Sequence, residues 1–301
     1  MKDRLLIAVI GDVHDRWGEL DNLALAALQV DLALFVGDFG NESIDIVRSI
    51  ASLKLPKAVI LGNHDAWYTA SPWGRKRAPY NREVEDRVQE QLDLLGSAHV
   101  GYGKLDFPQY NLSVVGGRPF SWGGSDWKNQ DFYGDRFGIN SFAQSTNKIA
   151  STAQATLCDN LIFIGHNGPT GLGEHPEAIC GRDWGELWGD HGDPDFEDAI
   201  AKTLSYGKSI PLVTFGHMHH SLRHREDRLR TIVETSDDAG TVYLNAASVP
   251  RIKKIEGQKA RNFSLVTMQN NLVQDANLVW LNNDFKIIDK VKLYESSTNS
   301  K

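Results

Sequence analysis

Five short blocks of the chain place metal-capable side chains directly after a glycine. They are Gly11-Asp12-Val13-His14, Gly37-Asp38, Gly62-Asn63-His64-Asp65, Gly165-His166-Asn167 and Gly216-His217-Met218-His219-His220. Carboxylate, amide and imidazole supply hard oxygen and borderline nitrogen donors, and no thiolate stands in any block. This donor set suits Mn²⁺, Fe, Zn²⁺ or Co²⁺ better than Ca²⁺. The blocks hold more donors than one tetrahedral Zn²⁺ takes. A carboxylate able to bridge, with donors on both sides, points to two metals about 3.5–4 Å apart. Each block also has an ordinary reading. A lone Gly-Asp after a strand is usually a turn, and one Asp-x-His says little. Gly-Asn-His-Asp says more, because three adjacent polar groups after a buried strand serve no packing purpose. In Gly-His-x-His, alternate residues of extended chain point the same way. Agreement of five blocks outweighs the ordinary reading of each.

The elements that must position these blocks are legible. Each block follows an apolar run: Leu5 to Ile10, Leu32 to Val36, Ala58 to Leu61, Leu161 to Ile164 and Leu212 to Phe215. Such runs read as strands buried on both faces. Trp17, Leu20, Leu23, Ala27 and Leu28, then Ile44, Val47, Ile50 and Leu53, recur at helical spacing between the first three. Alternating strands and helices with short joints imply right-handed crossovers and a parallel sheet. Ligands of such sheets bind at the carboxyl ends of the strands, so the five blocks are expected to converge. Further helices are expected over 82–95, 141–157 and 194–204, and a strand over 113–117. The C-terminal third reads as strands at 231–235, 242–246, 263–268, 272–281 and 285–293. Asp237-Asp238-Ala239-Gly240 and Asn282-Asn283-Asp284 supply turn chemistry. The expected fold is α/β: one domain over 1–301, a two-sheet β-sandwich flanked by helices, with the metal site at the strand carboxyl ends. One sheet is expected to be parallel-rich and built early, the other more antiparallel and built late. Irregular insertions at about 70–112, 118–138 and 168–195 are expected to border the site and set selectivity.

The composition narrows the class. The 301 residues are 41% hydrophobic, which excludes wholesale disorder. No apolar run approaches the ~20 residues of a membrane span, and Leu5 to Ile10 is too short for a signal-peptide core. A cytoplasmic location is expected. Lys and Arg number 32 against 39 Asp and Glu, a net charge of -7, opposite to a nucleic-acid coat protein. Cys158 and Cys180 are expected to be reduced thiols.

Taken in order, Asp-x-His, Gly-Asp, Gly-Asn-His-Asp, a later His and Gly-His-x-His resemble the motifs of the calcineurin-like metallophosphoesterase superfamily, from Asp12 to His219. Asn245-Ala246-Ala247-Ser248-Val249 is similar to the Asn-Pro-Gly-Ser strand end of family phosphodiesterases, with Ala-Ala for Pro-Gly. The resemblance implies a β-sandwich with a two-metal site at its mouth. It implies one metal on Asp12, His14, Asp38 and His219, the other on Asp38, Asn63, His166 and His217, and Asp38 as the bridge. Two divalent cations are the implied cofactors, Mn²⁺ first, with Fe, Zn²⁺, Co²⁺ and Mg²⁺ as alternatives. His64 is implied as the catalytic histidine, and Asp65 either orients it or ties the loop. The implied reaction is hydrolysis of a small-molecule phosphomonoester or phosphodiester. A metal-bridging hydroxide attacks phosphorus, and His64 assists the leaving group. The rival is a metal-dependent scaffold of the same fold. The motifs depart from two subfamilies. Ser/Thr protein phosphatases continue Gly-Asp-x-Val-Asp-Arg-Gly where this chain reads Gly37-Asp38-Phe39-Gly40-Asn41-Glu42, and purple acid phosphatases place a Tyr where Asn41 stands. Gly165 to Gly171 and the Trp-rich stretch resemble a branch found in cyanobacteria and chloroplasts.

Other residues have two readings each. Arg118, after Gly116-Gly117, is expected to clamp a phosphate bidentately; its ordinary reading is a solvent-facing arginine. Arg223 and Arg225 either reach an anionic substrate or form a solvated basic face. Arg75-Lys76-Arg77 reads as a solvated loop. Trp184 and Trp188 either cover the site or pack within their own loop. His220 reads as a surface or supporting histidine, and His99, His175, His191 and His224 show no ligand context.

Overall fold

In the computed structural model, residues 4–236 and 239–297 are described; Asp237 and Asp238 of the expected turn lie outside them. Among the described residues thirteen strands run in chain order. They are β1 Arg4–Ile10, β2 Leu32–Phe35, β3 Lys57–Val59, β4 Lys104–Phe107, β5 Leu112–Gly116, β6 Asn160–Ile164, β7 Ser209–Phe215, β8 Val233–Thr235, β9 Val242–Asn245, β10 Ile252–Ile255, β11 Gln258–Gln269, β12 Leu272–Leu281 and β13 Ile287–Glu295. The α-helices are α1 Glu19–Ala27, α2 Ile44–Ala51, α3 Pro72–Arg75, α4 Arg87–Leu95, α5 Gln130–Phe137, α6 Phe142–Gln154 and α7 Pro194–Ser205.

Two sheets face each other. One runs β13-β12-β11-β1-β2-β3 with β10 on β11, and the other runs β4-β5-β6-β7-β9-β8. The alternation within β1 shows how they pack. Leu5, Ile7 and Val9 meet Ile162, Ile164 and Leu212 of the opposite sheet. Ala8 and Ile10 face outward onto Leu25, Val47 and Ile50 of α1 and α2. On the far side Phe163, Val213 and Phe215 pack on Ile149 of α6 and Phe196 and Ile200 of α7. Both faces of the central strands are therefore covered, which is why they read as unbroken apolar runs.

The expected division into an early parallel and a late antiparallel sheet is corrected: both sheets are mixed. β1, β2 and β3 are parallel, but the other edge of β1 pairs antiparallel with β11, Leu5 opposite Met268. The late β11 to β13 meander extends the early sheet, because β1 leaves that edge open. The parallel run β5-β6-β7-β9 forms the heart of the second sheet. β4, β10 and α5 were not expected, and α5 lies inside 118–138. The helix expected from Arg82 starts at Arg87, where Asp86 caps it by accepting from the Gln89 N–H at 2.9 Å. Cys158 and Cys180 are both buried and unbridged.

His99 follows a 3-10 turn beside β3, and its buried Nε2 has no protein partner. Burial pushes its pKa down to about 4, from an ordinary 6.5. As pH falls, the unfolded chain takes up this proton first. The stabilisation is therefore complete above about 6.5 and is lost between there and about 4, roughly 3 kcal/mol in all. Urea unfolding at pH 7 and pH 5 should show the decline, and His99→Leu should flatten it. An unchanged pH slope in that variant would refute the assignment.

Candidate metal centre

The five blocks do converge. β1, β2 and β3 deliver Asp12, Asp38 and Asn63 from one sheet, and β6 and β7 deliver His166 and His217 from the other. The turns that do so are tight. Asp12, His14, Asp38 and His217 all have φ between 45° and 65°, a left-handed region that non-glycine residues seldom adopt and that clusters at functional sites. Two glycines make the approach possible. A Cβ on Gly62 would lie 2.4 Å from Asp38 Oδ1, and one on Gly216 would lie 2.3 Å from Asp12 Oδ2.

The donor atoms form two clusters. In the first, His14 Nε2 lies 3.2 Å from His219 Nε2, and Asp12 Oδ1 lies 3.3 Å from His219 Nε2 and 3.9 Å from His14 Nε2. In the second, His166 Nε2 lies 3.2 Å from His217 Nδ1, 3.2 Å from Asp38 Oδ1 and 2.9 Å from Asn63 Oδ1. Donors held about 2.1 Å from one cation stand about 3.0–3.4 Å apart, so these spacings fit ligands of a common ion. Asp12 Oδ1 is buried and receives no hydrogen bond, although Asp12 Oδ2 accepts from the His217 N–H at 3.0 Å. A buried carboxylate oxygen left bare beside imidazole nitrogens fits a cation position. Asp38 groups with His166 and His217 on one side and with His14 and His64 on the other.

Electrostatics agree with the donor set at Asp12 and His217, and His219 is shifted the other way by Asp12. Burial would raise the Asp12 carboxyl, but His219, His166 and His14 around it hold it well below the usual carboxylate range. Burial drives His217 well below an ordinary histidine and lowers His64 as well, despite Asp38 beside it. His219 goes up, because Asp12 outweighs its burial. A metal ligand must be a neutral imidazole or an ionised carboxylate.

His64 is held separately. Its Nδ1 lies 2.6 Å from Asn41 Oδ1, its ring stacks on Trp67 at 4.5 Å, and its Nε2 faces Asp38 Oδ2 at 3.9 Å. Asp65 ties the loops rather than orienting His64: it accepts from the N–H groups of Gly62, Asp38 and Phe39. Trp67 gave no sequence signal, since nothing local marks a tryptophan three residues on as a stacking partner.

Around these groups lies a cavity of about 340 Å³, bordered by Trp67, Trp122, Lys128, Trp184, His191 and Arg223. The stretches 118–138 and 168–195 supply four of these residues, but 70–112 supplies none. Its Trp73 is exposed, meets Trp67 edge-on and carries the Arg77 guanidinium over its ring at 4.1 Å. Trp188 also faces solvent. Arg225 is occupied by Glu177 and Asp227. His220 is buried, with Nε2 3.0 Å from the Asn245 carbonyl, and Asn245 Nδ2 donates to the Met218 carbonyl. The strand end at Asn245 thus fixes the His217–His219 loop. Arg230 was missed. It donates to the carbonyls of His219, Pro176, Ala178 and Gly181 and pairs with Asp183 at 3.0 Å, fastening the 168–195 loop to a ligand.

The phosphate-clamp expectation for Arg118 is corrected. Its side chain is 2% exposed; Nε donates to Asp195 Oδ2 at 3.0 Å and Nη2 to Asp193 Oδ1 at 2.8 Å. Trp127, Tyr133 and Phe142 surround the guanidinium. It anchors the first turn of α7 and is absent from the cavity wall.

Residues 5–221 match the family model described as calcineurin-like phosphoesterase. No curated protein matches the chain. One solved structure aligns at 12% identity with a TM-score of 0.51, over 97% of this chain and 100% of its own, a likeness of fold. A dimetal phosphatase from Danio rerio aligns at 11% identity and TM-score 0.48, over 97% of this chain and 99% of that one. TT1561 of Thermus thermophilus aligns at 10% and 0.48, over 96% and 99%.

Proposed function

Because this chain belongs to the calcineurin-like phosphoesterase family, we propose that it hydrolyses a small-molecule phosphoester at a two-metal site. The family binds two divalent metals. Asp12, His14, Asp38 and His219 are the residues proposed for one cation and Asp38, Asn63, His166 and His217 for the other, with Mn²⁺ as the first choice. The observation that carries this reading is the pair of donor clusters joined through Asp38, with Asp12 Oδ1 left bare among nitrogens. Two such cations, when bound, supply Lewis acidity and an activated water near neutral pH.

The chain's own groups do the rest. Asn41 and Trp67 fix the His64 ring so that Nε2 faces the centre, where the ring, when protonated on both nitrogens, hands its Nε2 proton to the departing oxygen and keeps the Nδ1 proton on Asn41. Asp65 keeps the Asp38 and Asn63 loops in register. Arg230 and Asn245 hold the His217–His219 loop from behind. A scaffold has no need of His64 aimed and stacked in this way, which favours the enzyme over the rival. The irregular loops 118–138 and 168–195 are proposed to select the substrate, and a cytoplasmic location is proposed with them.

The test is turnover of p-nitrophenyl phosphate and bis-p-nitrophenyl phosphate by protein loaded with Mn²⁺, before and after EDTA. Hydrolysis of at least one ester is expected, lost with EDTA and restored by metal. Fully metallated protein that turns over neither these nor a broad phosphoester panel would hand the fold to the scaffold reading.

A further inference from the structure

The cavity holds features that hydrolysis of a bare phosphoester leaves unused. Its wall begins as a slab of three stacked rings: His64 on Trp67 at 4.5 Å and 15°, and Trp67 on Trp122 at 5.2 Å and 22°. The wall continues through His191, whose Nε2 is 3.1 Å from the Trp122 carbonyl and whose ring meets Trp184 edge-on at 4.8 Å. The Arg223 guanidinium lies over Trp184 at 5.2 Å. Lys128 also borders the cavity, with Nζ donating to the Gly123 carbonyl at 2.9 Å.

Charge pairing sets these two cations apart. Arg118, Arg225, Arg230 and Arg251 each have a carboxylate within 4 Å. Among the described residues, neither the Arg223 guanidinium nor Lys128 Nζ forms an ion pair, although the Arg223 N–H donates to Asp183 Oδ2 at 2.7 Å and Asp126 and Asp193 act on Lys128 from farther off. In a chain of net charge -7, two cations without an ion pair beside an aromatic wall mark a place for further negative charge on the ligand. Guanidinium recognises phosphate oxygens well, and aromatic faces take planar bases by stacking.

We propose that the substrate is a nucleotide carrying a second phosphate group besides the scissile one. The base is held against the tryptophan wall, and the second phosphate lies on Arg223 with Lys128. The proposal rests on the phosphoester reading of the same site and names its substrate class. The bounded cavity and the acidic chain favour a single nucleotide over a polymer.

Calorimetric titration of the metal-loaded His64→Gln chain with ADP, adenosine 3′,5′-bisphosphate, AMP and ribose 5-phosphate tests it. One of the two-phosphate compounds should bind roughly tenfold tighter than AMP, the size of one charge-assisted contact. Which of them does so shows whether the second phosphate is linked to the first or sits across the ribose. AMP should bind at least about fivefold tighter than ribose 5-phosphate, through stacking. Arg223→Ala should erase the first step and keep the second. Trp184→Ala should erase the second, and Trp184→Phe should retain it. Equal affinity for AMP and both two-phosphate compounds would overturn the proposal, as would an Arg223→Ala that weakens all four alike. Wild-type turnover of p-nitrophenyl phosphate is measured alongside. Turnover with no nucleotide preference overturns the substrate class and leaves the hydrolase reading standing. Nucleotide preference with no turnover of any ester supports the binding site and overturns the hydrolase reading.

Discussion

Replacing His64 with glutamine is expected to lower kcat by about 10²–10⁴-fold, the usual worth of a general acid, while both cations stay bound. The geometry separates this residue from the ligands. Its Nδ1 is engaged by Asn41 and its ring by Trp67, so only Nε2 is free to act. That atom stands 3.9 Å from Asp38 Oδ2, farther than the 3.2 Å contacts that tie the nitrogens of each histidine pair. Yet His14, Asp38 and His64 also form a possible metal-binding group. Metal content measured beside kcat decides between the two roles. Loss of one cation in step with activity would make His64 a ligand. Retained cations with kcat unchanged would remove it from the chemistry.

Arg118→Ala is expected to cost about 3–5 kcal/mol of stability, because it strands two buried carboxylates without their counter-charge. The unfolding temperature should drop by on the order of 10 °C. Asp193 already feels its burial: despite Arg118 beside it, its pKa is pushed up to about 6. The kcat/KM of the fraction that remains folded should hardly change, since Arg118 does not border the cavity. Thermal unfolding and kinetics on the same preparations check both halves. A raised KM with stability intact would return Arg118 to the substrate.

Arg118 also shows where sequence reading stops. Its partners Asp193 and Asp195 lie 75 and 77 residues away, and no local pattern links them. An arginine after a Gly-Gly turn looks free until α7 is docked against it. The ligands were legible for the opposite reason. Each sits within four residues of an apolar run, and the rule that parallel strands present their carboxyl ends together brings five such ends to one place. The helix α2 was legible from periodicity, with Val47 and Ile50 buried, whereas in α1 the expected stripe of Leu20, Leu23 and Ala27 faces solvent and Asp21, Ala24 and Leu25 are buried instead. The mixing of the sheets was not legible, because nothing in β1 says which distant strand takes its second edge. Asn41 stood out in the sequence only as a departure from a tyrosine. Its contact with His64 is a fact of three dimensions, as are the stacking of Trp67 and the five acceptors gathered by Arg230. His191 looked idle for the same reason. Its place in the cavity wall depends on a loop whose shape is set by Arg230 and Asp183.

Metal content per chain tests the central claim most directly. Wild-type protein and Asp38→Ala are each equilibrated with Mn²⁺, passed through a desalting column and measured by elemental analysis. The shared carboxylate predicts two ions per chain in the wild type and at most one in Asp38→Ala. A wild type that retains no transition ion, or an Asp38→Ala chain that still holds two, would contradict a two-metal site bridged by Asp38.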